Sequence, residues 1–225
     1  MRISEVFASI QGEGKWAGTP SAFIRTSGCN LRCWFCDTPG TSWRPRGELR
    51  EWPSLLDQVA SFDCSHVVVT GGEPMLQPEV GPLTRALQER GHVVTIETAG
   101  TVFADVQADL VSLSPKLANS TPADPGWSRR HDQARDAPEV IERFIAGYEY
   151  QLKFVVDQPG DVVDVDRFIE RFSAVTPGRV WLMPQGVTSA EIAERAEWVQ
   201  EAATSRGWRV SPRLHIELFG NTPGT

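Results

Sequence analysis

Gly28–Thr38 reads GCNLRCWFCDT and holds three of the four cysteines in a chain of 225 residues. It follows the apolar, β-rich run Ala22–Thr26, so Cys29, Cys33 and Cys36 form C-x3-C-x2-C in a loop at the end of the first expected strand. A compact loop of this kind aims three sulfurs at one point, as thiolate ligation of iron requires. A closed zinc site takes four ligands, and no second Cys or His pair at finger spacing follows. His66, His92, His131 and His215 are scattered along the chain. Cys64, at an expected helix-to-strand turn, reads better as a small packed hydrophobe than as a fourth ligand. Three ligands on four irons leave one iron open to a substrate or cofactor.

Outward from this loop, β-rich runs alternate with amphipathic helical stretches from about residue 21 onward, the pattern of βα units on a parallel sheet. Strands are expected at Ala22–Thr26, His66–Thr70, His92–Glu97, Leu110–Leu113, Gln151–Val156 and Val180–Met183. Helices are expected at Pro53–Ser61, Glu79–Arg90, Pro138–Ala146, Val165–Phe172 and Ser189–Arg206, several of them closed by glycine. Such an order suits a partial α/β barrel or a doubly wound sheet, and periodicity does not choose between them. Pro39–Pro53 and Ala118–Ala137 read as long loops, which in a compact domain are often functional.

Composition narrows the partners. The net charge of −7 argues against a nucleic acid. No apolar run approaches the ~18 residues of a membrane span, and MRISEVFASIQGEG lacks the layout of a signal peptide. A cytoplasmic protein is the expectation, and there a handful of cysteines is used for metal or catalysis sooner than for disulfides.

The cysteine spacing, with Phe35 directly before Cys36, resembles the cluster loop of radical S-adenosylmethionine (SAM) enzymes. Val67–Pro74 (VVVTGGEP) resembles that superfamily's glycine-rich segment at the end of the second strand, although alone it also suits an ordinary β-to-α turn. Glycines there let backbone approach a ligand, and a carboxylate accepts from an ammonium. Ser9–Gly14 (SIQGEG), Ala22–Arg25, GCNLRCWFCDT, Ser114–Ser120 (SPKLANS) and RLHIELFGN ending at Asn221 together resemble the 7-carboxy-7-deazaguanine synthases, over nearly the whole chain.

That resemblance implies an α/β fold of the incomplete parallel βα-barrel kind in one domain, residues 1–225. Within it lie a substrate segment at 9–14, the cluster loop at 28–38 and a C-terminal tail at 208–225. It implies conversion of 6-carboxy-5,6,7,8-tetrahydropterin to 7-carboxy-7-deazaguanine with loss of ammonia, a lyase-type ring contraction in queuosine and 7-deazapurine biosynthesis. The cofactors implied are a 4Fe-4S cluster on Cys29, Cys33 and Cys36, SAM, and Mg2+ at Thr38. Asp37 is the stronger Mg2+ ligand on chemistry alone. A flavodoxin-type reductant and a homodimer are implied as partners.

No side-chain acid or base is assigned, because a SAM-derived radical does the chemistry. The implied substrate contacts are Ile10, Gln11, Gly12, Glu13, Arg25, Thr70 and His215. Arg25 offers a fork to the substrate carboxylate, Gln11 and Glu13 offer hydrogen bonds to the pterin, and His215 reads equally as a core histidine. The implied SAM contacts are Gly72, Glu73, Ser114, Pro115, Lys116, Lys153 and Gln185. Lys153, inside the apolar run QLKFVV, reads equally as a lysine snorkelling from a sheet end. Trp43, Arg44 and Arg46 in the first long loop offer a partner surface or simply solvate it. Residues Thr222–Thr225 extend past the end of shorter relatives and put in doubt a role for the terminal carboxylate.

Two rivals remain at this level. A glycyl-radical activase would lack the QGEG segment, and a non-enzymatic iron–sulfur or zinc module would not cleave SAM. Cys33→Ala is expected to abolish both SAM cleavage and product formation by removing a cluster ligand. SAM cleavage by that variant, measured anaerobically with dithionite, would remove Cys33 from the ligand set.

Overall fold

A computed structural model describes residues Met1–Thr225. One nine-stranded sheet organises the chain: β1 (Arg2–Ile10), β2 (Pro20–Thr26), β3 (Glu48–Leu49), β4 (His66–Gly71), β5 (Val93–Thr98), β6 (Leu110–Leu113), β7 (Tyr150–Val156), β8 (Val180–Pro184) and β9 (Arg209–Val210). Their order across the sheet is β3-β1-β2-β4-β5-β6-β7-β8-β9, with β1 antiparallel to β2 and β3, and every neighbour from β2 to β9 parallel. Strands from β4 onward are added in chain order on one side. With crossovers of one hand, that order stacks the helices on one face and leaves the other face for a cavity. The two ends, β3 and β9, do not pair, so this is an incomplete barrel.

Helices α1 (Trp52–Ala60), α2 (Val80–Glu89), α3 (Ser128–Arg135), α4 (Pro138–Gly147), α5 (Gly160–Ile169), α6 (Ser189–Ser205) and α7 (Leu214–Phe219) complete the fold. The strands read as unbroken apolar runs because both faces are covered. Ala22, Ile24, Val67, Val69, Val94, Ile96, Leu152, Phe154 and Leu182 enter the core shared with the helices. The alternate residues Phe23, Arg25, Thr70, Glu97, Lys153, Val155 and Met183 line the cavity instead. The strand period of two therefore decides Lys153: with Leu152 and Phe154 in the core, its ammonium points inward and does not snorkel outward.

All six expected strands form, five within one residue of their expected limits and the first beginning two residues earlier, at Pro20. The sequence reading missed β1, whose run RISEVFASI carries too many small and polar residues to alternate clearly. Cross-strand pairs hold it: Phe7 stands opposite Phe23 with rings stacked at 5.0 Å, and Glu5 stands opposite Arg25. The helix expected at Val165–Phe172 begins instead at Gly160 and ends at Ile169. Asp161 starts it early by accepting from the backbone N–H groups of Asp157 and Gln158, at 2.7 and 3.1 Å. The expected loop 118–137 contains α3, a helix polar all round, and Pro39–Pro53 contains β3. Trp43 is half-buried and donates from Nε1 to the Cys33 carbonyl at 2.9 Å, so it belongs to the interior of the cysteine loop.

The ends of β2 and β4 approach too closely for side chains. Gly71 has φ +127°, and a Cβ there would lie 2.1 Å from the Thr26 carbonyl oxygen; one on Gly72 would meet the Gly28 oxygen at 2.1 Å. Backbone hydrogen bonds Gly72 N–H to Thr26 O (3.1 Å) and Glu73 N–H to Gly28 O (2.9 Å) then tie the GGEP turn to the start of the cysteine loop. Gly71→Ala is expected to cost at least about 1–3 kcal/mol, from the left-handed backbone and the clash together. Gly160→Ala, where a Cβ meets nothing within 4 Å, should not destabilise; equal losses in urea unfolding would overturn this account.

Candidate active site

The C-terminal ends of the parallel strands open into a cavity of about 650 Å³, a size usual for a small-molecule site. Its walls bring together residues from the whole length of the chain. The cysteine loop contributes Cys29, Cys33, Cys36 and Thr38, and the segment before β2 contributes Ile10, Gln11, Gly12 and Glu13. The sheet contributes Arg25, Thr70 and Lys153, and further walls are formed by Gly72, Ser114, Lys116, Gln185 just past β8, and His215.

One hydrogen-bonded network spans the floor. Glu13 and Lys153 form a direct ion pair, with Glu97 Oε1 4.0 Å from the same ammonium. Gln11 Nε2 donates to Glu97 Oε1 at 3.1 Å while its Oε1 accepts from the Glu13 N–H at 3.1 Å, and Thr70 Oγ1 donates to Glu97 Oε2 at 2.8 Å. Burial alone pushes the Glu13 carboxyl up, but the charges of Lys153, Arg213 and His215 outweigh it and hold the group well below the usual carboxylate range. Burial likewise disfavours the Lys153 charge, and Glu13 and Glu97 reverse that, raising its pKa. His215 rests on Gly12, where a Cβ would lie 2.1 Å from its Nδ1, and its Nε2 is 3.9 Å from Glu13.

Arg25 donates from Nε to Glu5 at 2.5 Å and lies over the Phe7 ring, leaving its two terminal nitrogens without protein partners. Lys116 folds back to the Ser114 carbonyl and hydroxyl at 2.6 and 2.8 Å. Two residues expected to touch SAM do not reach the cavity wall. Pro115 is buried and is not among the lining residues. Glu73 is wholly buried, accepting from Met75 N–H (3.1 Å), Thr98 Oγ1 (2.7 Å) and Ala99 N–H (2.9 Å). Its carboxylate therefore positions Thr98 and Ala99, which do line the cavity.

The Radical SAM superfamily model matches residues 23–119. The 7-carboxy-7-deazaguanine synthase of Halobacterium salinarum is 42% identical to this chain, covering 99% of it and 92% of the relative. The chain belongs to the 7-carboxy-7-deazaguanine synthase family. The synthase of Rhodopirellula baltica is 43% identical over 99% of this chain and 88% of its own. The crystal structure of QueE from Escherichia coli matches with a TM-score of 0.71 at 26% identity, covering 93% of this chain and 92% of that one. A radical SAM enzyme of this family takes a 4Fe-4S cluster and SAM, and the rival readings as an activase or a bare metal module yield to these full-length likenesses.

The thiols of this synthase-family chain suit the cluster. All three are free and line one cavity. Burial pushes Cys29 up to about 11, Cys33 up to about 12, and Cys36 upward as well. Thiolates in such a place need a cationic metal centre to offset their desolvation, and loading it releases protons. Cys64 lies just ahead of β4, at the end of the sheet away from the loop, with its Sγ on the Phe62 carbonyl, so it supplies no fourth ligand.

Several site residues escaped the sequence reading. Glu97 was detectable: like Lys153 it is a charge inside an apolar strand, on the cavity parity. Arg213 carried no local signal. It is 3% exposed, donates to Asp37 and the Gly186 carbonyl, and sets its Nε 3.4 Å from Glu13, joining the cysteine loop to the QGEG segment. The tail residues Thr222, Pro223 and Thr225 line the cavity mouth.

Because the folded pKa of Glu13 lies below its ordinary 4.5, its contribution is complete above that pH and is lost as pH falls below it. Glu13→Gln leaves Lys153 poorly paired and is expected to cost about 3–5 kcal/mol at pH 7. Its urea midpoint should also depend less on pH below 4.5 than that of the parent; an identical acid limb would show that the pair does not hold the cavity floor.

Proposed function

We propose that this chain converts 6-carboxy-5,6,7,8-tetrahydropterin to 7-carboxy-7-deazaguanine and ammonia. The observation that carries the reading is a single cavity lined by three free thiols, a guanidinium fork and a polar floor suited to a flat, nitrogen-rich ring. The cluster and SAM, when bound, supply hydrogen-atom abstraction at the pterin C6.

The protein's own part is to bind, orient and keep the site dry. Arg25 takes the substrate carboxylate on its two free terminal nitrogens, while Glu5 holds the guanidinium from the other side. Gln11, Glu13, Glu97 and Thr70 present donors and acceptors to the pterin edge, and Gly12 and Ile10 let backbone come close to the ring. His215 and the tail close the mouth, limiting water around a reactive species. Ser114, Lys116, Gly72 and Gln185 are the SAM-side residues in this reading.

Mg2+ at Thr38 is part of the same proposal. Asp37, otherwise the stronger ligand, is committed through one oxygen to Arg213, and its other oxygen lies 3.4 Å from the Thr38 hydroxyl. The metal then depends on Thr38, substrate and water oxygens, a donor set usual for Mg2+. A flavodoxin-type reductant, a homodimer and a cytoplasmic site of action belong to the proposal on resemblance; no helix is long and apolar enough to cross a membrane.

Anaerobic incubation of the reconstituted protein with SAM, dithionite, Mg2+ and 6-carboxytetrahydropterin is expected to yield the deazaguanine acid by mass spectrometry. SAM cleavage without that product would overturn the substrate and leave the radical SAM assignment standing. Arg25→Ala should keep its iron and raise KM about 10- to 100-fold, the loss of charge-assisted hydrogen bonds to one carboxylate; an unchanged KM would remove Arg25 from substrate recognition.

A further inference from the structure

Outside the cavity, the segment from Leu117 to Arg135 lies against the back of the cysteine loop. Its helix α3 is polar all round, and His131 is its single buried residue. That histidine is fully enclosed, and both ring nitrogens are used: Nδ1 accepts from the Arg32 N–H at 3.0 Å, and Nε2 meets Ser120 Oγ at 2.9 Å. The Ser120 hydroxyl donates to the Leu117 carbonyl at 2.6 Å, so it accepts from the ring. This places the proton on Nε2 and leaves Nδ1 as a lone-pair acceptor for the loop.

The Arg32 N–H lies between Cys29 and Cys33, where the chain must turn to present both sulfurs to one side. The same segment receives Trp34 twice, its backbone N–H on the Ser120 carbonyl (3.2 Å) and its indole Nε1 on the Asn119 carbonyl (2.6 Å). Trp127 stacks under the Arg32 guanidinium at 4.2 Å. If α3 were anchored only for packing, an apolar residue would serve at 131 without the desolvation of two ring nitrogens. A buried histidine satisfied on both sides is instead suited to holding one backbone N–H in place.

We infer that His131 is a positioning residue for the cysteine loop: by accepting from the Arg32 N–H it sets the turn between Cys29 and Cys33 and so governs how firmly the loop retains its iron–sulfur cluster. The inference rests on the cluster reading of this loop. Asn at 131 places a carbonyl oxygen where Nδ1 stands and preserves an acceptor for Arg32, whereas Gln and Ala do not.

The test is anaerobic iron release from the reconstituted protein to a ferrous chelator, read by absorbance, together with the EPR spectrum of the reduced cluster. His131→Ala and His131→Gln are expected to release iron at least about 10-fold faster than the parent, one orphaned hydrogen-bond donor's worth. His131→Asn should recover most of the difference and the parental spectrum. Equal release by Ala and Asn variants would reduce His131 to packing and overturn the inference, as would parental release by Ala. If Ala fails to fold, the Asn and Gln variants decide alone, and equal rates for those two overturn it. A parent chain that takes up no iron–sulfur cluster would instead overturn the cluster reading itself.

Discussion

The ion pair between Glu13 and Lys153 joins positions 140 residues apart, and the cavity takes its shape from it. Glu13 belongs to the segment before β2 and Lys153 to β7, on the far side of an unclosed sheet. Both are nearly enclosed, at 12% and 5% side-chain exposure, so neither is replaced by water at low cost. Glu97 and Gln11 complete the satisfaction of the pair. An apolar bridge of the same span would close the fold equally well, yet would leave no donors and acceptors for a polar ring.

The other charges of the site divide along the same line. Each cation is already balanced or folded back: Arg25 on Glu5, Arg213 on Asp37, Lys116 on Ser114. The site is therefore held in its working geometry before any ligand arrives, which lowers the ordering cost of binding. Arg213 has a double attachment, to Asp37 behind the last cysteine and to the neighbourhood of Glu13, so the cysteine loop and the QGEG segment cannot shift independently. The loop has further ties: Trp43 donates to the Cys33 carbonyl within it, Trp34 reaches out of it to the Asn119 carbonyl, and His131 accepts from the Arg32 N–H from outside.

The parallel strands from β2 to β8 were legible because each is a short apolar run bounded by turn residues. The cysteine triplet was legible because its spacing is local. Lys153 was ambiguous as a sequence feature, and only its parity between Leu152 and Phe154 in the core resolved it. Glu73 was legible only in part: GGEP identifies a close-approach turn, but which way the carboxylate turns depends on Thr98 at the end of β5 and Ala99 just after it. β1 and α3 lack a periodic apolar face and are held by partners distant in the chain, so no local pattern revealed them.

The sequence by itself determined the family, the cysteine triplet and the order of βα units, because each is written in residues close together along the chain. Only the tertiary structure decided that Glu97, Arg213 and Glu5 belong to the site, that Glu73 supports it from within, and that His131 reaches the loop. Those assignments rest on buried charges and lone pairs finding partners across the sheet. Such pairing is settled by the three-dimensional approach of strands and loops, which no spacing along the chain encodes.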